Sequence, residues 1–413
     1  MTRKLLLVTY HFPPSAASGT FRMLSFARHL PRFGWQVEVV APPESPWDPV
    51  DAALAAQVPP ETVYHAVAYP KRWPRLLRIA APYAVWLPRA WRACRGIVRR
   101  ERPDLVLTSG PPHIVHLIGL WLRRTARLPW VADFRDPWIS GVAKTPLRLG
   151  QRWYRYWERQ VMAHADRVIG NAPNASRMFW ETYPRCADKV ITLTNGFDPR
   201  PTTEIPTRFG GVVRMLHAGE IYWGRDPLPL LDAMAALKQA GPAAPVRLEV
   251  VGTVHLPSGD LPTEIARRNL GADVSVTGQL PYQAAVDEMT RADLLVLFDT
   301  PGRKIGVPAK LYEYLGAGRP VLALAEPDGD TAQVLKESGV CHRIAPPKDV
   351  PRIAQAMAEL VREIAGGVVP APDPERLRRF TRESIAEELA EVMEQVIAQD
   401  VTAPQALACG LEG

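Results

Sequence analysis

Two runs of alternating apolar strand and amphipathic helix, separated by a Pro-, Thr- and Gly-rich segment at 199–211 (PRPTTEIPTRFGG), leave this chain very few architectures. In the first run strands are predicted at 4–10, 35–41, 62–69, 104–110, 130–136, 167–171 and 189–194, with helices at 21–30, 114–126 and 174–182. In the second, strands at 212–218, 246–252, 274–278, 294–298, 320–324 and 340–344 alternate with helices at 227–239, up to about Asn269, at 282–290 and from Pro308 onward. Such alternation builds parallel sheets covered by helices, so the expected fold is α/β, two doubly wound Rossmann-like domains facing each other across a cleft. The expected boundaries are 1–198 for the first domain, 199–211 for the linker and 212–380 for the second domain. The remainder, 381–413, reads as an amphipathic helix at about 384–399 placed to pack back on the first domain, with a frayed end from Val401.

Composition narrows the partners. The chain has 413 residues, 47% hydrophobic and 23% charged, a balance that buries a sizeable core. Fifty Lys and Arg against 43 Asp and Glu give a formal charge of +7, which favours anionic partners such as nucleotide-sugars, phospholipid head groups or nucleic acid. Cys94, Cys186, Cys341 and Cys409 are scattered without a C-x-x-C pair, which supports neither a zinc site nor a disulfide framework and suits a reducing cytoplasm. The start, MTRKLLLVTYHFPPS, reads as a buried strand rather than a leader, and no stretch approaches the roughly 20 apolar residues of a membrane span. The expected location is cytoplasmic, with peripheral contact to the inner face of the cell membrane as an option.

The densest chemistry lies at 306–324, GVPAKLYEYLGAGRPVLAL. Pro308 suits a helix start and Gly316-Ala-Gly318 with Pro320 a helix end, and Lys310 and Glu313 share one face near the positive end of the helix dipole. Two readings fit. Lys310 and free backbone N–H groups can hold phosphate while Glu313 accepts from neighbouring ribose hydroxyls, or the two residues form an ordinary surface ion pair. Gly219 permits close backbone approach in the loop HAGEIYWGRDP, where Arg225 stands just before a helix and can fork onto a diphosphate. The loops beginning at Gly252 and at Thr277-Gly278-Gln-Leu280 expose backbone groups at strand ends that can read a base edge. Ser18 and Gly19 stand where a serine caps and a glycine admits a phosphate, or where a turn simply needs glycine. His113, His116, Asp133, Arg135 and Asp136 follow two strands of the first half and are candidates for one cleft, though a histidine at a helix start is often structural. Asp328-Gly-Asp330 has chelating spacing but reads as a turn, so no metal is expected. Between 62 and 100 there is no acidic residue, while Arg89, Arg92, Arg95, Arg99 and Arg100 interleave with Trp73, Trp86 and Trp91, a pattern that suits an anionic bilayer surface. The same pattern fits a hairpin with tryptophans in the core and solvated arginines, or phosphates of a nucleic acid.

The segment PAKLYEYLGAGRPVLA resembles the signature of the family-4 retaining glycosyltransferases of GT-B fold, and TSGPPHIVHL, PWVADFRDPW and Asn195-Gly196-Phe197-Asp198 are similar to further segments of a subgroup acting in bacterial surface-polysaccharide assembly. The resemblance implies transfer of a sugar from a nucleoside diphosphate sugar to a hydroxyl acceptor with retention, no required cofactor, and a lipid-linked saccharide as acceptor. It makes Glu313 the ribose ligand, Arg225 a diphosphate ligand that acts with Lys310 to stabilise the leaving group, and Gly252, Thr277, Gly278 and Leu280 the nucleobase pocket, with Val307 and Leu311 among the donor-binding candidates. Gly19 matches the glycine of the family's first loop. Three positions depart from the pattern. Ile305 replaces a second glutamate, Glu220 replaces an arginine for which Arg303 or Lys304 are possible substitutes, and Ser109 stands at a usual histidine, which makes His113 or His116 its candidate replacement and Asp136 a neighbour to it. These departures keep a non-catalytic nucleotide-sugar binder and an epimerase of the same fold in view. A nucleic-acid binder lacks a recognised motif.

Overall fold

The computed structural model describes residues 2–43, 49–70, 83–138, 148–199, 210–222, 224–256 and 259–402. Its contacts divide the chain into two compact units, Met1–Asn195 with Arg382–Gly413, and Gly196–Thr381.

The first unit is a seven-stranded parallel sheet of β1 (Arg3–Thr9), β2 (Trp35–Ala41), β3 (Val63–Ala66), β4 (Leu105–Gly110), β5 (Trp130–Phe134), β6 (Arg167–Gly170) and β7 (Val190–Thr192), in the order β3-β2-β1-β4-β5-β6-β7. Successive side chains of β1 alternate between faces as a pleated strand requires. Leu5 and Leu7 join one core layer and Leu6 and Val8 the other. Because both faces are covered, the strands read as continuous apolar runs. α1 (Ser18–His29) lies on the first layer; α2 (Leu87–Glu101), α3 (His116–Ala126), α4 (Arg148–His164) and α5 (Pro173–Thr182) contribute to the second.

The second unit repeats the logic with β8 (Val213–Ala218), β9 (Val246–Val251), β10 (Val274–Gly278), β11 (Leu294–Phe298), β12 (Val321–Leu324) and β13 (His342–Ala345), a six-stranded parallel sheet in the order β10-β9-β8-β11-β12-β13. Leu294, Val296 and Phe298 face a core completed by α6 (Leu228–Ala240), α7 (Leu261–Arg267) and α11 (Val350–Ala365). Leu295 and Leu297 face the opposite layer, built on α8 (Tyr282–Arg291), α9 (Lys310–Ala317) and α10 (Asp330–Ser338). The last helix, α12 (Arg382–Thr402), returns to the first unit, where Leu389, Met393 and Val396 pack with Leu5, Phe26 and Leu7.

Several details differ from the sequence expectation. The division falls at Asn195/Gly196 rather than after Asp198, because Phe197 is buried against Gly316 and pairs with Phe380 at the other end of the second unit. α1 starts at Ser18, capped by Ala17 without a side-chain hydrogen bond, so Ser18 is an exposed first-turn residue and not a cap. α9 proper starts at Lys310, preceded by the turn bonds Leu311 N–H to Pro308 O and Tyr312 N–H to Ala309 O. α4, α10 and α11 have no counterpart among the predicted elements. The predicted linker lies mostly outside the described residues, as do Lys71 to Arg78 of the basic stretch.

The tryptophans described in that stretch are not a surface face. Trp86 is fully buried and donates Nε1–H to Val67 O at 2.7 Å, and Trp91 packs edge-on against Trp121 at 5.3 Å. Arg89, Arg92, Arg95, Arg99 and Arg100 are exposed. Trp86 and Trp91 thus pack inward, and the described arginines of the stretch form an exposed row.

Candidate functional site

In doubly wound sheets ligands bind beyond the carboxyl ends of the strands, where strand order reverses. In the second unit that reversal separates β8 from β11. β8 ends in His217 and Ala218 and runs into Gly219, whose φ of 121° is strained for any residue with a Cβ. Gly219 N–H donates to Val251 O at 2.7 Å, and a Cβ on Gly252, itself at φ 138°, would overlap Gly219 O. The loops after β8 and β9 are further zipped by Ile221 N–H to Thr253 O and His255 N–H to Ile221 O, both at 2.9 Å, and Gly252 bridges to Gly278. Three bare glycines therefore hold the strand-end loops in backbone contact.

Over Gly219 lies Lys310, from the first turn of α9. A Cβ built on Gly219 would stand 2.5 Å from Lys310 Nζ. The Lys310 amine reaches back to the end of β8, donating to His217 Nε2 at 3.2 Å and to Glu220 O at 3.4 Å. α9 is pinned from behind by Tyr314, whose hydroxyl accepts from Ala218 N–H at 3.0 Å and donates to Val296 O at 3.1 Å. Burial, and then the nearby Arg225 guanidinium, push Lys310 down to about 7, against a weaker pull from Glu220. Arg225 stacks over Tyr222 at 5.2 Å, and burial lowers its affinity for a proton too, with Arg303 adding repulsion and Tyr222, Asp299 and Glu220 opposing it. Cations brought together at a strand-end edge, with proton affinities lowered, suit an anion.

The other donor-side candidates sort clearly. Glu313 is half-buried in the first turn of α9. Leu280 and Val307 are half-buried and pack against the core beneath α9. Leu311 is fully buried, and its N–H is used by Pro308 O, so it supports the helix and offers a ligand nothing. Thr277, exposed on the edge strand β10, donates its hydroxyl to Glu249 at 2.8 Å. Neither proposed substitute for the missing arginine stands over Gly219. Arg303 pairs with buried Asp299 at 2.9 Å and Lys304 with Asp328 at 2.5 Å, while Lys310 takes that place. Glu220 itself pairs with His255 at 3.1 Å. Asp328 and Asp330 diverge, since Asp330 is fully buried and accepts Gly306 N–H at 2.7 Å.

The corresponding edge of the first unit is differently furnished. A Cβ on Gly19 would overlap the Arg135 guanidinium, which also donates to Pro111 O, so the bareness of Gly19 here accommodates an arginine. His113 and His116 do come together with Asp136, but as packing. His116 is fully buried, stacked on Phe134 at 4.3 Å, with Nδ1 2.8 Å from Thr108 Oγ1. His113 stacks on Trp138 at 5.3 Å and its Nε2 lies 2.5 Å from Asp136 O. Burial pushes His113 down to about 4 and His116 well below its ordinary value, so neither ring is tuned for proton transfer near neutrality. In this structure both rings are packing elements, and the Asp136 backbone carbonyl is a partner of His113 alone. Asp133, likewise a cleft candidate, is fully buried and forks with Arg22 at 2.9 and 3.1 Å while accepting Ser109 Oγ–H at 2.7 Å. Arg22 also reaches Thr194 O at 2.6 Å and Leu193 O at 2.9 Å. Arg22 escaped the sequence reading, though an arginine on the apolar face of α1 was the available sign that a buried partner exists. His217 escaped it too, as one polar residue in an apolar strand.

Comparison with known proteins bears on the family and the fold. The profile described as Glycosyltransferase Family 4 matches residues 20–200, and that described as Glycosyl transferases group 1 matches residues 213–363. No curated protein matches the chain by sequence. Among solved structures, sucrose-phosphate synthase from Thermosynechococcus elongatus superposes with a TM-score of 0.66 at 17% identity, over 96% of this chain and 99% of that one. Anabaena HepE, solved in complex with UDP and glucose, gives 0.64 at 17% identity over 95% and 99%. WaaG, a glycosyltransferase involved in lipopolysaccharide biosynthesis, gives 0.61 at 14% identity over 94% and 99%. At these identities the likeness is one of fold.

Proposed function

Because this chain belongs to the family-4-type glycosyltransferases and has the GT-B fold, we propose that it moves a sugar from a nucleoside diphosphate sugar to a hydroxyl acceptor with retention at the anomeric carbon. The observation that carries the donor assignment is the pairing of Lys310 and Arg225 beside the bare Gly219 loop. Their positive charge suits the diphosphate, which gains charge as the bond from the anomeric carbon to its oxygen breaks. The acceptor oxygen forms the new bond on the same face of the sugar, and its proton passes to the departing diphosphate. Glu313, in the first turn of α9, accepts from the ribose hydroxyls. The complex of HepE with UDP and glucose supports this class of donor.

The acceptor in this reading is a saccharide carried on a membrane lipid. The exposed arginine row of α2 supports it, and α4 adds Trp153, 44% exposed, and Tyr156, 54% exposed, among Arg152, Arg155 and Arg159. α2, α3 and α4 pack side by side, so these groups share one layer. The involvement of WaaG in lipopolysaccharide biosynthesis is consistent with such an acceptor. None of the described helices is long and apolar enough to cross a membrane, and the contact we propose is a peripheral one.

Calorimetric titration against UDP-, GDP- and TDP-sugars, with diphosphate release followed after adding membrane extract, tests the proposal. Binding with extract-dependent release is the expected result. Binding without release from a competent extract favours a non-catalytic nucleotide-sugar binder, for which Ile305 and Glu220 are the motive. No binding to any donor ends the proposal.

A further inference from the structure

His217 has no assigned task, yet it is the only side chain besides a backbone carbonyl that Lys310 touches among the described residues. It is fully buried at the end of β8, with its ring edge-on to Phe298 at 4.8 Å. Its Nδ1 lies 2.8 Å from Val296 O, and since a carbonyl only accepts, Nδ1 carries the proton. Nε2 is then a lone pair aimed at Lys310 Nζ. Burial, then Lys310 and Arg225, lower the proton affinity of this imidazole well below its ordinary value against the pull of the Val296 and Gly219 backbone, which makes it a neutral neighbour of Lys310.

Resting on the donor reading above, we propose that His217 is a positioning residue that holds Lys310 Nζ over Gly219 as a ligand able to gain a proton, so that capture of a nucleotide-sugar diphosphate draws a proton from the buffer onto Lys310. The charges around the amine make this work. Before binding it faces neutral His217 from β8, the Glu220 carbonyl and carboxylate from the next loop with His255 on that carboxylate, and Arg225, with Arg303 and Asp299 behind it and Glu313 on its own helix. Of the neighbours that bear on its titration, Arg225 disfavours the ammonium more than Glu220 favours it. An arriving diphosphate reverses that balance and raises the proton affinity of Lys310. Binding then takes up a proton at any pH between the free and the bound value, and below the free value Lys310 is already charged. The sign follows: affinity is flat in mild acid and falls as pH rises above about 7.

The test uses UDP-glucose and GDP-mannose, whose diphosphates do not titrate between pH 6 and 9, with the full chain in phosphate and in Tris. The dependence of the binding enthalpy on the buffer's ionisation enthalpy counts the protons. For the wild type we expect little uptake at pH 6, uptake approaching one proton at pH 8, and affinity falling by up to roughly tenfold per pH unit above neutrality. Lys310→Arg, which stays charged, keeps binding but loses both the uptake and the pH slope. His217→Leu loses the uptake at pH 8 and weakens binding, and His217→Gln, which restores an acceptor toward Nζ, recovers part of both. His255→Gln leaves the uptake unchanged. Donor binding without proton uptake in the wild type overturns the inference, as does full uptake in Lys310→Arg or in folded His217→Leu, or its loss in His255→Gln. Failure of every nucleotide-sugar to bind at any pH instead overturns the donor reading on which it rests.

Discussion

The two sheets reverse their strand order in the same way, and the edges beyond those reversals carry cations treated in opposite ways. In the first unit the chain neutralises its own charge. Arg22 is forked by Asp133 and closed by two carbonyls, Arg135 fills the space above Gly19, and two histidines are packed neutral. In the second unit Arg225 lies on a tyrosine ring and Lys310 on an imidazole, and burial lowers the proton affinity of both, with Arg225 adding to the effect on Lys310 and Arg303 to that on Arg225. The contrast teaches that a shared topology offers the location of a site and the side chains decide its use. An edge whose cations are satisfied internally contributes stability, whereas one whose cations repel one another is stabilised by an anion from outside.

The comparison breaks most visibly at Asp133. Asp133→Ala leaves the buried Arg22 guanidinium without its carboxylate, and removing one partner of a buried ion pair costs about 3–5 kcal/mol. Chemical denaturation is expected to show that loss. The double substitution Arg22→Met with Asp133→Leu, which removes both charges, is expected to recover much of it. A stability change below about 1 kcal/mol for the single substitution would remove the pair from its place at the centre of the first unit's edge.

In the second unit the same kind of change is expected to act on binding. On the proposed donor reading, Arg225→Gln and Glu313→Ala are each expected to weaken nucleotide-sugar binding by about 1.5–3 kcal/mol, the worth of a charge-assisted hydrogen bond, and to move the unfolding midpoint little because both side chains are only half-buried. Titration calorimetry and denaturation on the same samples separate the two effects. A folded Glu313→Ala with unchanged affinity would remove the ribose role.

How much of this contrast could be read in advance depends on the range over which each interaction acts. The strands were legible because buried parallel strands are unbroken apolar runs, as in LLLV of β1 and LLVLF of β11. The glycines at 219, 252 and 278 and the cations at 225 and 310 were legible because strand-end loops are where such residues have work to do. α11 carried a readable signal, with Ile353, Met357, Leu360 and Ile364 at helical spacing. α4 was obscured because aromatic residues occupy its exposed side, at Trp153 and Tyr156, as well as its packed side, at Trp157. The roles of His116, Asp133 and His217 were beyond local pattern, since each is defined by a partner distant in sequence or by burial that only the assembled core imposes.

Acid supplies a gentler probe of the first unit. His113 has its proton affinity lowered from 6.5 to about 4 on folding, and His116 moves in the same direction, so the unfolded chain binds more protons in that window. Stability is therefore complete well above pH 6.5 and falls as pH drops toward 4, by about 1.5 kcal/mol between pH 6.5 and 5 from His113 alone. His113→Phe, which keeps the stacking with Trp138 and removes the titrating nitrogen, is expected to flatten the denaturation profile over that range. An unchanged slope would mean that the ring is charged in the folded protein and that the first unit's edge is not neutralised as described.

The smallest effect on folding is expected on the outer surface of α2, and its value lies in that smallness. Arg92, Arg95 and Arg99 are exposed, whereas Trp86, Ala90, Cys94 and Ile97 bury the opposite side of the helix. Replacing the three arginines with Gln removes charge without touching that buried side, so stability should shift by no more than about 0.5 kcal/mol per site. Each cation close to an anionic bilayer contributes about 1 kcal/mol of attraction, screened by salt. Partition onto vesicles of anionic lipid is thus expected to fall steeply in the triple variant while its unfolding curve overlays the wild type, and raising the salt concentration should reproduce the loss in the unmodified protein. Equal partition by both proteins would leave α2 a solvated helix with no part in holding the acceptor, and would shift the search for a membrane contact to Trp153 and Tyr156 on α4, where apolar insertion rather than charge would carry it.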